Sequence, residues 1–193
     1  PRRLELHDER VSNPYVIRSY LAPERNTGSQ SQAAALTVLA ELLGGSGLTS
    51  VLGKALQLED SIAVSTGALY SATSLDPDSF GMYVVPAAGV SLEEAEAKMD
   101  EVLEKFLIDG PDLAQMERIK AQIRASEIYA LDDQNGLARR YGAALSIGLT
   151  IEDIANWPDE LTAVTADDVM AAAHDVLDLK NSVTGWLMKE DTE

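Results

Sequence analysis

Residues 43–69, LGGSGLTSVLGKALQLEDSIAVSTGAL, change hydrophobic period from helical to alternating within one short stretch, and this constrains the fold more than any other part of the chain. Gly44 and Gly45 close the apolar run Ala33 to Leu43 in the manner of helix-stopping glycines. Leu48, Leu52, Ala55 and Leu56 then fall three and four apart, which predicts a short helix. From Ile62 the period drops to two: Ile62, Val64 and Thr66 alternate with Ala63, Ser65 and Gly67. The switch places Gln57 at the end of the short helix and Val64 in a central strand.

The flanking segments extend the pattern. Arg2 to Asp8 and Tyr15 to Leu21 alternate, predicting a strand pair around the Asn13-Pro14 turn, and Ser29 to Leu43 reads as a helix buried on much of its surface. Phe80, Met82 and Val84 return after Asp76-Pro77-Asp78, so residues 62–86 form a long hairpin. Ser91 with Glu94 is a capping box. The helix behind it carries Leu92, Ala95, Met99, Val102, Leu103 and Phe106 on one face. Its acids Glu93, Glu94, Glu96, Asp100, Glu101 and Glu104 read as a solvated surface rather than a metal site. Gly110-Pro111 breaks the chain before a second long helix with Leu113, Met116, Ile119 and Ile123 inside. Shorter helices follow over about 135–147 and behind the caps Thr150 with Asp153 and Thr165 with Asp168, and Ser182 to Met188 closes as a strand. The expected class is α+β, a largely antiparallel sheet covered by helices.

The 193 residues fit one domain, 1–193, and the opening proline points to a piece of something longer. No apolar run approaches the ~20 residues that cross a bilayer. A net charge of −17 argues against nucleic acid, which needs clustered Lys and Arg. The acidity reads as a soluble surface, or more sharply as a wall that steers basic peptides. Absence of cysteine removes thiolate and disulfide chemistry and leaves the bacterial cytoplasm and periplasm both open, with a lean to the periplasm.

Catalytic constellations are missing. The two histidines, His7 and His174, lie at opposite ends of the chain. Gly45-Ser46-Gly47 is not G-x-S-x-G, and GGSG at 44–47 follows a helix without a Walker lysine.

Leu43, Gly44, Gly45, Ser50, Leu52, Leu56 and Ala63 fit the outline Leu-Gly-Gly, Ser-x-Leu, Leu, Ala of one peptidase family. Leu4-Glu5-Leu6, Tyr20-Leu21-Ala22-Pro23 and residues 160–187 fit the entry and closing elements of the same domain. The chain thus resembles the C-terminal domain of the pitrilysin-type zinc peptidases, the inverzincin group that includes the mitochondrial processing peptidase. The resemblance implies one domain of a two-domain subunit, with zinc held by H-x-x-E-H in the other domain and no cofactor here. It also implies a peptide substrate enclosed in a clamshell chamber, and as partners the chain's own N-terminal domain and a homologous subunit in a dimer. A sheet edge would be available to add a substrate strand.

In that family the C-terminal domain can contribute an arginine and a tyrosine, seven positions apart, that contact substrate backbone and stabilise the oxyanion. Those positions are Gln57 and Val64 here. Each such donor is worth roughly 2.7–4 kcal/mol. Valine has no donor, and glutamine is neutral. The chain therefore reads as part of a zinc metallopeptidase, inactive by itself, with no catalytic or metal-binding residue of its own. The alternatives are a catalytically dead core-protein-like subunit of the same fold, or an unrelated acidic binding module.

Overall fold

Two reciprocal caps start the last helices where the sequence places them. The computed structural model describes residues 1–45 and 47–190, so Ser46 of the glycine-serine motif lies outside the described residues. Thr150 accepts from the Asp153 amide while Asp153 accepts from the Thr150 amide, starting α5 (Ile151–Ala163). Thr165 and Asp168 do the same for α6 (Ala166–Val176). These hydrogen bonds hold both carboxyls below the usual aspartate range, the threonine contacts being the main cause. For α2 (Leu92–Asp109) only the Ser91 arm of the box is made, with Ser91 Oγ accepting from the Glu94 amide at 3.1 Å.

The remaining elements are β1 (Arg2–His7), β2 (Tyr15–Ala22), α1 (Ser31–Ala40), β3 (Ala63–Tyr70), β4 (Asp78–Pro86), α3 (Leu113–Ala130), α4 (Gln134–Ser146) and β5 (Ser182–Met188). Leu113, expected inside α3, is exposed; Met116 and Ile119 are buried. Helix α1 begins at Ser31 rather than Ser29, because Gln30 directs its side chain to Arg25 and Asp153 instead of capping.

The five strands form one sheet in the order β1-β5-β2-β4-β3. The expected pairing of the first two strands does not occur: β5 inserts between them, parallel to β1 and antiparallel to β2. The class is α+β as expected, with a mixed sheet that is antiparallel except for β1–β5. Along β2, Val16, Arg18, Tyr20 and Ala22 point into the core, and by register so do Thr184, Trp186, Phe80, Met82 and Val84. All of these lie on one face of the sheet, packed with the apolar side chains of α1, α2 and α6 into one core.

The α2 acids correct the sequence expectation. Glu96 is buried and Asp100 half-buried, because both meet Arg18, whose side chain is only 1 % exposed. Arg18 Nη2 donates to Glu96 Oε1 at 2.7 Å, its Nη1 to Asp100 and its Nε to Thr184 Oγ1 at 3.0 Å. Glu96 Oε2 accepts from Trp186 Nε1 and from Arg3 Nη2, each at 2.7 Å. An inward-facing arginine on a half-buried strand demands carboxylates, and α2 supplies them.

Candidate functional site

Residues 41–45 and 47–59 form an unusual succession of helical turns. After α1 the chain widens into a π-helical turn, Glu41–Gly45, then makes a 3₁₀ turn, Gly47–Thr49, and a second π-helix, Gly53–Glu59. Such π-helical turns are rare and cluster at functional sites. Gly44 does not adopt a left-handed conformation, whereas Gly47, which opens the 3₁₀ turn, does, at φ 61°. Gly44 is needed for a different reason. A Cβ there would overlap the Ala68 amide nitrogen and the Gly67 carbonyl carbon, so the turn rests directly on the backbone of β3.

Gln57 lies within the second π-helix, and its Nε2 donates to Thr66 Oγ1 on β3 at 2.8 Å. The amide is thereby used to tie helix to strand. Val64 lies on β3 as the period change predicts, but the strand is not central: β3 ends the sheet, and Val64 is 62 % exposed. The reason is a bulge. The register of β3 against β4 shifts between Ala63 and Ser65, so Ala63, Thr66 and Ala68 face inward while Val64 is turned out. Simple alternation would have placed Val64 and Thr66 on the same side.

Beside Val64 a cavity of about 600 Å³ is walled by Pro86, Val90, Leu92, Trp186 and Met188. Among the described residues, no backbone hydrogen bond other than the β4 ladder reaches residues 63–70. The sequence of β3, AVSTGALY, carries no charge or proline to discourage strand addition. The opposite edge, β1, carries Arg2, Arg3, Glu5 and His7.

The second feature is the face of the sheet turned away from the helices. The register aligns Leu4 with Gly185, Leu6 and Tyr15 with Leu187, Ile17 with Gly185 and Tyr83, Leu21 with Ser79 and Leu69 with Gly81. This row is apolar and open: Leu21 is 72 % and Leu69 64 % exposed, and Leu4 and Leu6 are similarly bare. Sequence reasoning missed it, although the alternation of Leu4 and Leu6 with charged neighbours was its signal.

Among the described residues, no group of three or more His, Cys, Asp or Glu is gathered closely enough to hold a metal ion. His7 ends β1 and His174 sits exposed in the last turn of α6. The described residues therefore do not fit a zinc centre. No helix is long and apolar enough to cross a membrane, again among the described residues.

Residues 1–123 match the model of the peptidase M16 inactive domain. A search of curated proteins finds no match. Among solved structures, a protease from Helicobacter pylori aligns at TM-score 0.86 and 19 % identity, over 96 % of this chain and 43 % of that one. The inactive peptidase domain of a zinc-protease-like protein from Bordetella parapertussis aligns at TM-score 0.82 and 17 % identity, over 97 % of this chain and 96 % of that one. The periplasmic protease PqqL from Escherichia coli aligns at TM-score 0.70 and 17 % identity, over 98 % of this chain and 20 % of that one. The chain thus spans less than half of the Helicobacter and Escherichia chains and nearly all of the Bordetella domain, and at these identities the likeness is one of fold. With 123 of its 193 residues under the family model, the chain belongs to the M16 peptidase inactive-domain family.

Proposed function

We propose that residues 1–193 are a single non-catalytic C-terminal domain of a zinc metalloendopeptidase, which forms one wall of a peptide-enclosing chamber and the interface to its neighbouring domain and partner subunit. The observation that carries this reading is the one-sided sheet. A sheet with two apolar faces needs a layer on each, and here the helices supply only one. The bare row through Leu4, Leu6, Leu21 and Leu69 is therefore the surface that the rest of the protein covers. Membership of the family removes the reading as an unrelated acidic module. The compartment of the Escherichia coli neighbour supports the lean to the periplasm.

The test is association with the remainder of the protein, expressed separately and followed by sedimentation. Leu21→Glu is expected to weaken binding at least tenfold, about 1.4 kcal/mol. The stability of the chain itself should change by no more than about 0.5 kcal/mol, as for other exposed positions. A folded variant that associates as tightly as the parent defeats the proposal.

In this reading the zinc and its histidines belong to another domain, and the substrate-contacting Arg and Tyr come from another chain, since Gln57 and Val64 stand in their places. Gln57→Ala in the full-length protein with its partner is then expected to change turnover less than roughly tenfold. A loss of several hundredfold with the fold intact would assign Gln57 a donor role. The reverse substitutions, Gln57→Arg with Val64→Tyr, are sterically open at position 64, because the bulge turns that side chain outward.

A further inference from the structure

At the end of the sheet remote from Val64, two arginines border one cavity of about 310 Å³ between the β3–β4 loop, α3, α4 and α5. Arg25, just past β2, is 6 % exposed. Its guanidinium lies 3.9 Å over the Trp157 ring, donates through Nε to Gln30 Oε1, and donates through Nη2 to the Asp153 carbonyl at 2.9 Å. Both acceptors are neutral, and none of the ion pairs among the described residues includes Arg25. Arg140 of α4 reaches the same cavity while donating to Glu127 of α3. Burial, and then the charge of Arg140, lower Arg25 to about 10. The acids around it offset this only in part. The Asp153 carboxylate is occupied by Thr150 and the Gly28 amide, Glu127 is held by Arg140, and Glu160 acts on Arg25 through its field.

A buried cation whose hydrogen-bond partners are neutral, lining one cavity together with a second cation, favours a negative group there. We propose that this cavity binds a carboxylate, held between Arg25 and Arg140. Among the residues that line the cavity, two guanidiniums and the Glu127 carboxylate leave one positive charge, which the fields of Asp153 and Glu160 reduce further, so a singly charged group is favoured over a doubly charged phosphate that would press against these acids. Trp157, Ile154 and Ala143 supply an apolar wall beside that position, suited to the carbon skeleton of an organic acid or to the last residue of a peptide. The cavity shares no lining residue with the exposed row through Leu4, Leu6, Leu21 and Leu69, and its test does not rest on the proposed chamber role.

Isothermal titration of the intact chain with acetyl-trialanine, its C-terminal amide, acetate and inorganic phosphate tests the assignment. Saturable binding of the free acid is expected, with the amide at least tenfold weaker and phosphate no tighter than the acid. Acetate much weaker than the tripeptide identifies a peptide terminus as the source, and acetate of equal strength identifies a free small acid; either supports the site. Because Arg25 also holds the loop to α5, the variants are made elsewhere. Arg140→Gln should weaken the acid about tenfold, and Glu127→Gln should strengthen it several-fold by removing a like charge. Absence of saturable binding, equal binding of acid and amide, tighter binding of phosphate, or a Glu127→Gln variant that binds the acid more weakly overturns the proposal.

Discussion

Arg18→Met is expected to lower the unfolding free energy by about 3–5 kcal/mol, the range for breaking one partner out of a buried ion pair. The guanidinium is the hub that joins β2 to α2 through Glu96 and Asp100 and to β5 through Thr184. Methionine preserves most of the stem but leaves Glu96 in a nearly dry site with only Arg3 and Trp186 as donors. The Thr184 hydroxyl, also buried, loses its donor. Urea unfolding read by fluorescence and circular dichroism measures the change, with an unaltered m-value showing that the same transition is followed. Replacing both partners, Arg18→Met with Glu96→Met, is expected to recover a substantial part of the loss, because an apolar pair in place of a buried ion pair is often neutral or better. The two single changes would then be strongly non-additive, as groups in one network are. A loss below about 1 kcal/mol for Arg18→Met alone would show that the network is not the principal tie between α2 and the sheet.

Gly44→Ala is expected to cost about 3 kcal/mol or more, at or beyond the upper end for overpacking. The added methyl would meet main-chain atoms of Gly67 and Ala68, which no rotamer change can move aside. Relief requires the π-helical turn Glu41–Gly45 to lift from β3. Gly142 provides the contrast. It sits inside α4 without a positive φ, and a methyl added there would have no neighbour within 4 Å. Gly142→Ala is therefore expected to stabilise the protein by roughly 0.5–1 kcal/mol, the helix preference for alanine. Thermal denaturation of the two variants side by side separates a close-contact role from a general intolerance of substitution. Equal effects would refute the packing argument for Gly44.

The open sheet face shows how far the sequence carries toward the site. The alternation Leu4–Leu6 is visible at once, and so is that of Ile17–Leu21. Whether such a row faces a helix layer or stays bare depends on which face the helices choose, and among the described residues α1, α2 and α6 pack on the side of Val16, Tyr20 and Phe80. Val64 is a sharper case. Period two is correct for β3 as a whole, yet one extra residue at the bulge reverses the side on which Val64 emerges. The strand's place at the edge follows from pairings with β4 alone, which a single strand's composition does not specify.

What the sequence by itself determines is whatever is settled within a few residues. Thr150 with Asp153, Thr165 with Asp168, the hairpin of β3 and β4, and the bounds of β5 from Ser182 to Met188 all rest on neighbours that a local reading can see. The glycine-rich outline around Leu43 and Leu56 also sufficed to identify the family, because it records the local turns of one fold. The tertiary structure alone decided that β5 enters between β1 and β2, that Glu96 and Asp100 of an apparently solvated helix face meet Arg18, and that Gly44 is a contact rather than a stop. Each of these joins segments distant along the chain, 78 and 82 residues in the case of Arg18. Local hydrogen bonding sets where a helix or strand begins. Which surfaces meet is set by the competition among all apolar and charged groups for burial and partners, and that competition is resolved only when the whole chain packs.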